Sequence, residues 1–180
     1  PSPLPHASMQ APARWVAYYH KKFGEEKPFT GGSYVPCQYP RATRAAMIGL
    51  LDEQVGMIVK ELKRLHLYDN TVIMFASDNG PSREGGADCA FFNSGGPLKS
   101  EFGWGKGFLH EGGIREPFIA VWKGKIKAGA TSPLVISAWD LLPTICKLIR
   151  VKAPAGIDGI SYLPTLLGDA GGQQRREYLY

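Results

Sequence analysis

Between residues 41 and 66, Met47, Leu51, Val55, Ile58, Leu62 and Leu65 recur at spacings of three and four. That period puts them on one face of a long helix. Pro40 suits the first turn, and Lys63, Arg64 and His66 suit the negative end of the dipole, with His66 read as a solvated cap. Gly49 and Gly56 each cost about 1 kcal/mol against alanine in a helix interior, which predicts close packing against a sheet. The pattern then changes. Thr71-Val72-Ile73-Met74-Phe75-Ala76 is apolar and β-branched without polar alternation, as in a strand covered on both faces in a parallel sheet. Helix into apolar strand is half of a βαβ unit. Residues 117–122 repeat the buried-strand pattern, and 133–136 predict a short strand. Shorter helices are predicted at 15–23 and 139–149, the second capped by Ser137 or Asp140, with Pro143 tolerable near its first turn. Residues 1–12, 24–40 and 80–113 are irregular, and the chain after Val151 is turn-rich. The order of elements predicts an α/β fold.

Candidate chemistry begins where the central strand ends. Polarity switches at Ser77, and open α/β sheets place ligands at the carboxyl ends of their strands. Neighbours within a strand point to opposite faces. Asp78 and Asn79 serve one site only if the chain has already left the strand, and Gly80-Pro81 supplies that turn. A carboxylate beside an amide carbonyl is hard oxygen ligation, suited to calcium or magnesium. The same tripeptide also reads as a plain loop start.

The stretch 80–113 is longer than an ordinary connection. It carries Phe91, Phe92, Phe102, Trp104 and Phe108, which argues against disorder. Lys106 is followed five residues later by Glu111-Gly112-Gly113. Glycines around a lysine let backbone approach a ligand, and the ammonium offers three donors to an oxyanion. A surface lysine in a flexible loop is the competing reading. The aromatic residues suit either contact with a sugar or aryl group, or packing under the loop.

Composition narrows the classes. The chain has 180 residues, 44% hydrophobic and 21% charged, enough for a domain with a core. The net charge of +5 is spread out, which argues against nucleic acid and suits an anionic small substrate. No apolar run has membrane-spanning length. Cys37, Cys89 and Cys146 are too widely spaced for a zinc knuckle. Cys146 reads as core; Cys37 and Cys89 read as loop residues, with a disulfide between them left open. The opening Pro-Ser-Pro-Leu-Pro and the closing Tyr178-Leu179-Tyr180, which reads as a strand beginning, look like cuts through a longer protein.

Together these pieces resemble the sulfatase family, arylsulfatase-like members of the alkaline-phosphatase-like superfamily. The motifs are Asn70 to Gly80, Lys106-x4-Glu111-Gly112-Gly113-Ile114-Arg115-Glu116-Pro117, Leu51-Asp52-Glu53-Gln54-Val55-Gly56, Asp140-Leu141-Leu142-Pro143-Thr144 and Asp158-Gly159-Ile160-Ser161. The resemblance implies an α/β sandwich with a mostly parallel sheet between helices. It implies residues 1–168 as the C-terminal portion of the catalytic domain and 169–180 as the start of a C-terminal subdomain. By similarity, Asp78 and Asn79 bind Ca2+, with Mg2+ as the alternative ion, and Lys106 contacts the substrate sulfate. His6, in Pro-His-x5-Pro, resembles the histidine that contacts sulfate and protonates the leaving oxygen. His110 stands where the family is usually aromatic and reads as structural; Trp122-Lys123-Gly124 departs from the usual Trp-Pro-Gly.

The family nucleophile is a formylglycine made from cysteine in Cys-x-Pro-x-Arg. No such motif occurs here; Cys37-Gln38-Tyr39-Pro40 has its proline one place late. The paired N-terminal aspartates of the family's metal site are also absent. Asp78 gives at most two oxygens and Asn79 one, against the roughly 6–8 that calcium takes. The expectation is a fragment carrying half of a sulfatase site, inactive alone. The implied substrate is a sulfated small molecule or glycan, and the implied location is secreted, periplasmic or lysosomal. A phosphoesterase or phosphonate hydrolase of the same superfold, or a non-catalytic truncated homologue, is the competing expectation.

Overall fold

The computed structural model describes residues 2–169 and 171–177. The strand start expected at 178–180 lies outside them. Elements run α1 (Ala13–Phe23), α2 (Pro40–Arg64), β1 (Ile73–Ala76), α3 (Cys89–Phe92), α4 (Glu111–Ile114), β2 (Phe118–Val121), α5 (Leu141–Leu148) and α6 (Leu163–Leu166). The chain is α/β, and among the described residues β1 and β2 make one two-stranded sheet. The mostly parallel sheet between helices expected from the sequence is not found among the described residues. Nor is the strand expected at 133–136: Leu134 donates its amide to the Ser132 hydroxyl (3.1 Å) and no ladder forms. β1 is also barer than its composition suggests, with Phe75 38% exposed. Among the described residues no helix is long and apolar enough to cross a membrane.

The chain divides into two compact units, residues 1–68 with 75–118, and 69–74 with 119–180. The first is built on α1 against α2. Its core is the N-terminal part of α2, with Ala42, Ala46 and Met47 buried, and Cys89 of α3. The anticipated apolar face continues as a sequence pattern, but Ile58 and Leu65 are exposed. Gly49 meets Trp15 and Tyr19 of α1, a helix rather than a sheet, and Gly56 has open space where a Cβ would stand. Tyr39 at the N-cap makes no side-chain cap bond. The Glu26 carboxylate instead accepts from Arg41 N (2.5 Å) and Ala42 N (3.0 Å), satisfying two amides of the first turn from a distant loop. Asp88 caps Phe91 N (2.9 Å) and pairs with Arg41 (2.8 Å), tying α3 to α2. These bonds, the Phe91 amide first, hold its carboxyl below the usual range.

The second unit turns on Asp140, which is 1% exposed. It accepts from Ser137 N (2.8 Å), Ser137 Oγ (3.3 Å), Ile160 N (2.7 Å) and the Arg176 guanidinium. Ser137 and Asp140 form a capping box before α5. Buried Thr144 donates to Asp140 O (2.6 Å) and accepts from Tyr162 N (3.0 Å). The Asp-Gly-Ile-Ser landmark thus folds back on the Asp-Leu-Leu-Pro-Thr landmark, and a Cβ on Gly159 would fall 2.2 Å from Trp139 O. The cysteines are free: Cys37 and Cys146 stand as read, whereas Cys89 opens a short helix and gives its thiol to Ser82 O (3.0 Å).

Candidate functional site

β1 ends at Ala76, and the next four residues make a tight turn. The Ser77 hydroxyl donates to Asn79 O (2.9 Å), and Asn79 Nδ2 donates to Gly80 O (2.9 Å). The amide nitrogen of Asn79 is thereby used by the turn, which leaves its carbonyl oxygen as the acceptor end. Asp78 is exposed and Asn79 half-buried. Gly80 is buried and donates to Gly113 O (3.0 Å), and Lys106 N donates to Pro81 O (3.1 Å). A Cβ on Gly80 would stand 1.9 Å from Gly112 O, and one on Gly112 would stand 1.6 Å from Lys99 O. The Glu-Gly-Gly segment is glycine because three stretches of backbone meet there without room for a side chain. The lysine loop is therefore stitched to the residues directly after Asp78-Asn79.

His6 sits in the irregular N-terminal loop and is exposed. Its amide donates to Pro3 O (2.7 Å), its ring Nδ1 contacts Ala7 O, and its ring lies edge-on to Tyr34 at 6.0 Å. A Cβ on Gly85 would fall 2.4 Å from Ala7 Cβ. One short segment, 80–86, thus touches the lysine loop at Pro81 and the His6 loop at Gly85. His110 is exposed and stacks on Trp104 at 4.1 Å, in keeping with a structural reading.

Glu116 was not singled out as a site residue from sequence. Its carboxyl is pushed above the ordinary carboxylate range, first by burial and then by the Asp78 carboxylate. Its Oε1 is buried without a hydrogen-bond partner. It stands in the Arg-Glu-Pro end of the lysine motif, but spacing does not show which way a side chain turns. The Asp78 charge acts on Glu116, whose Oε1 is an orphaned buried acceptor, and a cation would relieve both. Oxygen donors from Asp78, Asn79 and Glu116 fit a hard divalent ion such as calcium. They do not complete its shell: among the described residues no group of three or more His, Cys, Asp or Glu converges.

Lys106 is half-buried and lines an open cleft of about 190 Å³ with Arg83, Glu84, Glu101, Phe102 and Phe108. Among the described residues its amine has no ion-pair partner. The aromatic residues of this stretch divide between two roles. Phe91 and Phe92 pack on Phe23 of α1, at 5.3 and 6.0 Å, whereas Phe102 is 78% exposed at the cleft.

Comparison with known proteins gives the family. The sulfatase family model matches residues 3–151. Human N-acetylgalactosamine-6-sulfatase is 36% identical over 155 residues, covering 82% of this chain and 26% of that protein. Human arylsulfatase A is 35% identical over 133 residues, covering 72% of this chain and 24% of that protein. The crystal structure of Ps i-CgsB in complex with a neocarrahexaose superposes with a TM-score of 0.70 at 31% identity, over 92% of this chain and 32% of that one. The chain spans about a quarter of the length of these two curated relatives. With a family match over most of its length, this chain belongs to the sulfatase family.

Proposed function

We propose that this chain supplies the cation-binding and sulfate-binding half of a site that hydrolyses sulfate esters of a small molecule or glycan. The observation that carries this reading is the backbone stitching of Gly80 to Gly113 and of Pro81 to Lys106. It ties the Lys106 backbone to the turn that follows the oxygen donors Asp78 and Asn79, which supports a shared site. Asp78 and Asn79 would hold calcium, or magnesium, with the Glu116 carboxylate adding negative charge to the same neighbourhood. When bound, the cation offsets charge on the sulfuryl oxygens. Lys106 donates to the same oxygens, a charge-assisted contact that strengthens as negative charge builds in the transition state. His6 protonates the departing alcohol. The nucleophile is not among these 180 residues, since no Cys-x-Pro-x-Arg occurs in them. The segment alone is therefore inactive, and the activity belongs to a protein that includes a formylglycine. Residues 1–168 form the C-terminal portion of its catalytic domain and 169–180 begin a further subdomain. Secretion, or a periplasmic or lysosomal location, follows from the family resemblance.

The test is turnover of 4-nitrophenyl sulfate and 4-nitrophenyl phosphate by the full-length protein. Faster sulfate turnover, lost in Lys106→Ala, supports the proposal. Faster phosphate turnover overturns it in favour of a phosphoesterase, and no turnover of either ester favours a non-catalytic homologue.

A further inference from the structure

The cleft beside Lys106 has a composition that sulfate contact alone does not require. Phe102 leaves 78% of its surface bare. It is not loosely placed, because its ring meets Phe108 edge-to-face at 5.4 Å between centroids. The Arg83 guanidinium lies 5.8 Å from the centre of the same ring. Glu84 and Glu101 stand at the cleft as acceptor-only groups. The cleft therefore offers an aromatic face, two hydrogen-bond acceptors and a second cation apart from Lys106.

A plain aryl sulfate uses only the aromatic face. A hexose uses all of it: its C–H face lies on Phe102, its hydroxyls donate to the two carboxylates, and an anionic substituent meets Arg83. The volume of about 190 Å³ is below the roughly 300 Å³ at which drug-sized pockets begin, and suits one ring rather than several. Resting on the sulfatase reading above, we propose that this cleft is a saccharide subsite. Phe102 is the platform for the sugar ring, and Arg83 selects a second anionic group on a saccharide whose reacting sulfate is held by Lys106.

The experiment uses the full-length protein with an N-acetylhexosamine carrying one sulfate and the same sugar carrying two. Titration calorimetry gives Kd and steady-state kinetics give kcat/KM. Phe102→Ala is expected to weaken binding of both sugars roughly tenfold, with recovery in Phe102→Trp. Arg83→Gln is expected to cut the preference for the doubly over the singly sulfated sugar roughly tenfold. Both side chains are exposed, so the variants should melt with the parent, and a melting curve checks it. Unchanged Kd in Phe102→Ala, or an unchanged preference in Arg83→Gln, overturns the subsite. Because binding is read without turnover, a parent that binds both sugars through Phe102 but hydrolyses neither of them nor 4-nitrophenyl sulfate refutes the sulfatase reading and leaves the subsite standing.

Discussion

Gly80→Ala is a one-methyl change whose effect follows directly from the coordinates. The new Cβ would lie 1.9 Å from Gly112 O, 2.9 Å from Gly112 C and 2.9 Å from Gly113 Cα. All three obstacles are backbone, so no side-chain rotation relieves the overlap. Overpacking in a tight interior costs about 1–3 kcal/mol, and a backbone obstacle puts this case at the upper end. Separation of the two strands of chain also strains the Gly80 N to Gly113 O bond of 3.0 Å, worth about 1 kcal/mol. The expected loss is about 3–4 kcal/mol. Gly56→Ala is the internal control: it is the same chemical change in an exposed helical position with nothing within 4 Å of the new methyl. Alanine there should stabilise by about 1 kcal/mol through helix propensity. Urea unfolding of the full-length protein reads both. Gly80→Ala should also lose sulfate ester turnover, since it pushes the lysine loop away from the strand end. A loss below about 1 kcal/mol at Gly80 would refute the backbone-stitching argument, as would destabilisation at Gly56 equal to that at Gly80.

Other substitutions probe the rest of the account. Asp140→Ala strips a buried acceptor from Ser137, Ile160 and Arg176 and should cost about 3–5 kcal/mol in urea unfolding; a cost under 1 kcal/mol would contradict its place as the hub of the second unit. Arg44 is 8% exposed with its Nε unpartnered, and burial lowers its pKa, so Arg44→Met should leave stability unchanged or raise it by about 1–4 kcal/mol. A marked loss on that substitution would mean the guanidinium has an anionic partner in the full-length protein. For Glu116 the folded pKa lies above the ordinary 4.5, so the folded state binds this proton more readily than the unfolded one. Its charge therefore lowers stability above the folded pKa, and that cost fades as pH falls towards 4.5. In the metal-free protein Glu116→Gln should be more stable than the parent at neutral pH and converge with it in acid, while binding calcium more weakly. Melting curves across pH and a calcium titration check both halves, and a variant less stable at pH 7 would count against the argument.

The long helix was legible because a three-to-four spacing of apolar residues leaves little else to form. The turn at Asp78-Asn79-Gly80 was legible because polarity and glycine change together. What escaped the sequence was mostly non-local. Glu26 caps α2 from a loop 15 and 16 residues before the amides it accepts from, and no local motif announces it. Glu116 gains its character first from burial and then from the Asp78 carboxylate, and both depend on the folded chain rather than on neighbours in sequence. No strand forms at 133–136: the Leu134 amide finds the Ser132 hydroxyl, and just beyond the segment the Ser137 amide finds Asp140, rather than a neighbouring strand. The glycines of α2 misled for a related reason. A glycine in a helix marks close contact only when something lies against it, and at Gly56 nothing does. Phe102 and Phe91 looked alike as sequence, yet one packs on α1 and the other faces the cleft.

The central claim is that one cation at Asp78 and Asn79 and the amine of Lys106 address the same sulfate. A crystal structure of the full-length protein grown with calcium and a non-hydrolysed sulfate ester tests it most directly. The account predicts a calcium ion bonded to side-chain oxygens of both Asp78 and Asn79, at about 2.3–2.6 Å, with Lys106 Nζ about 3 Å from an oxygen of the same sulfate group. A calcium ion bound elsewhere, or a Lys106 amine turned into bulk water while the ester occupies the site, would contradict it.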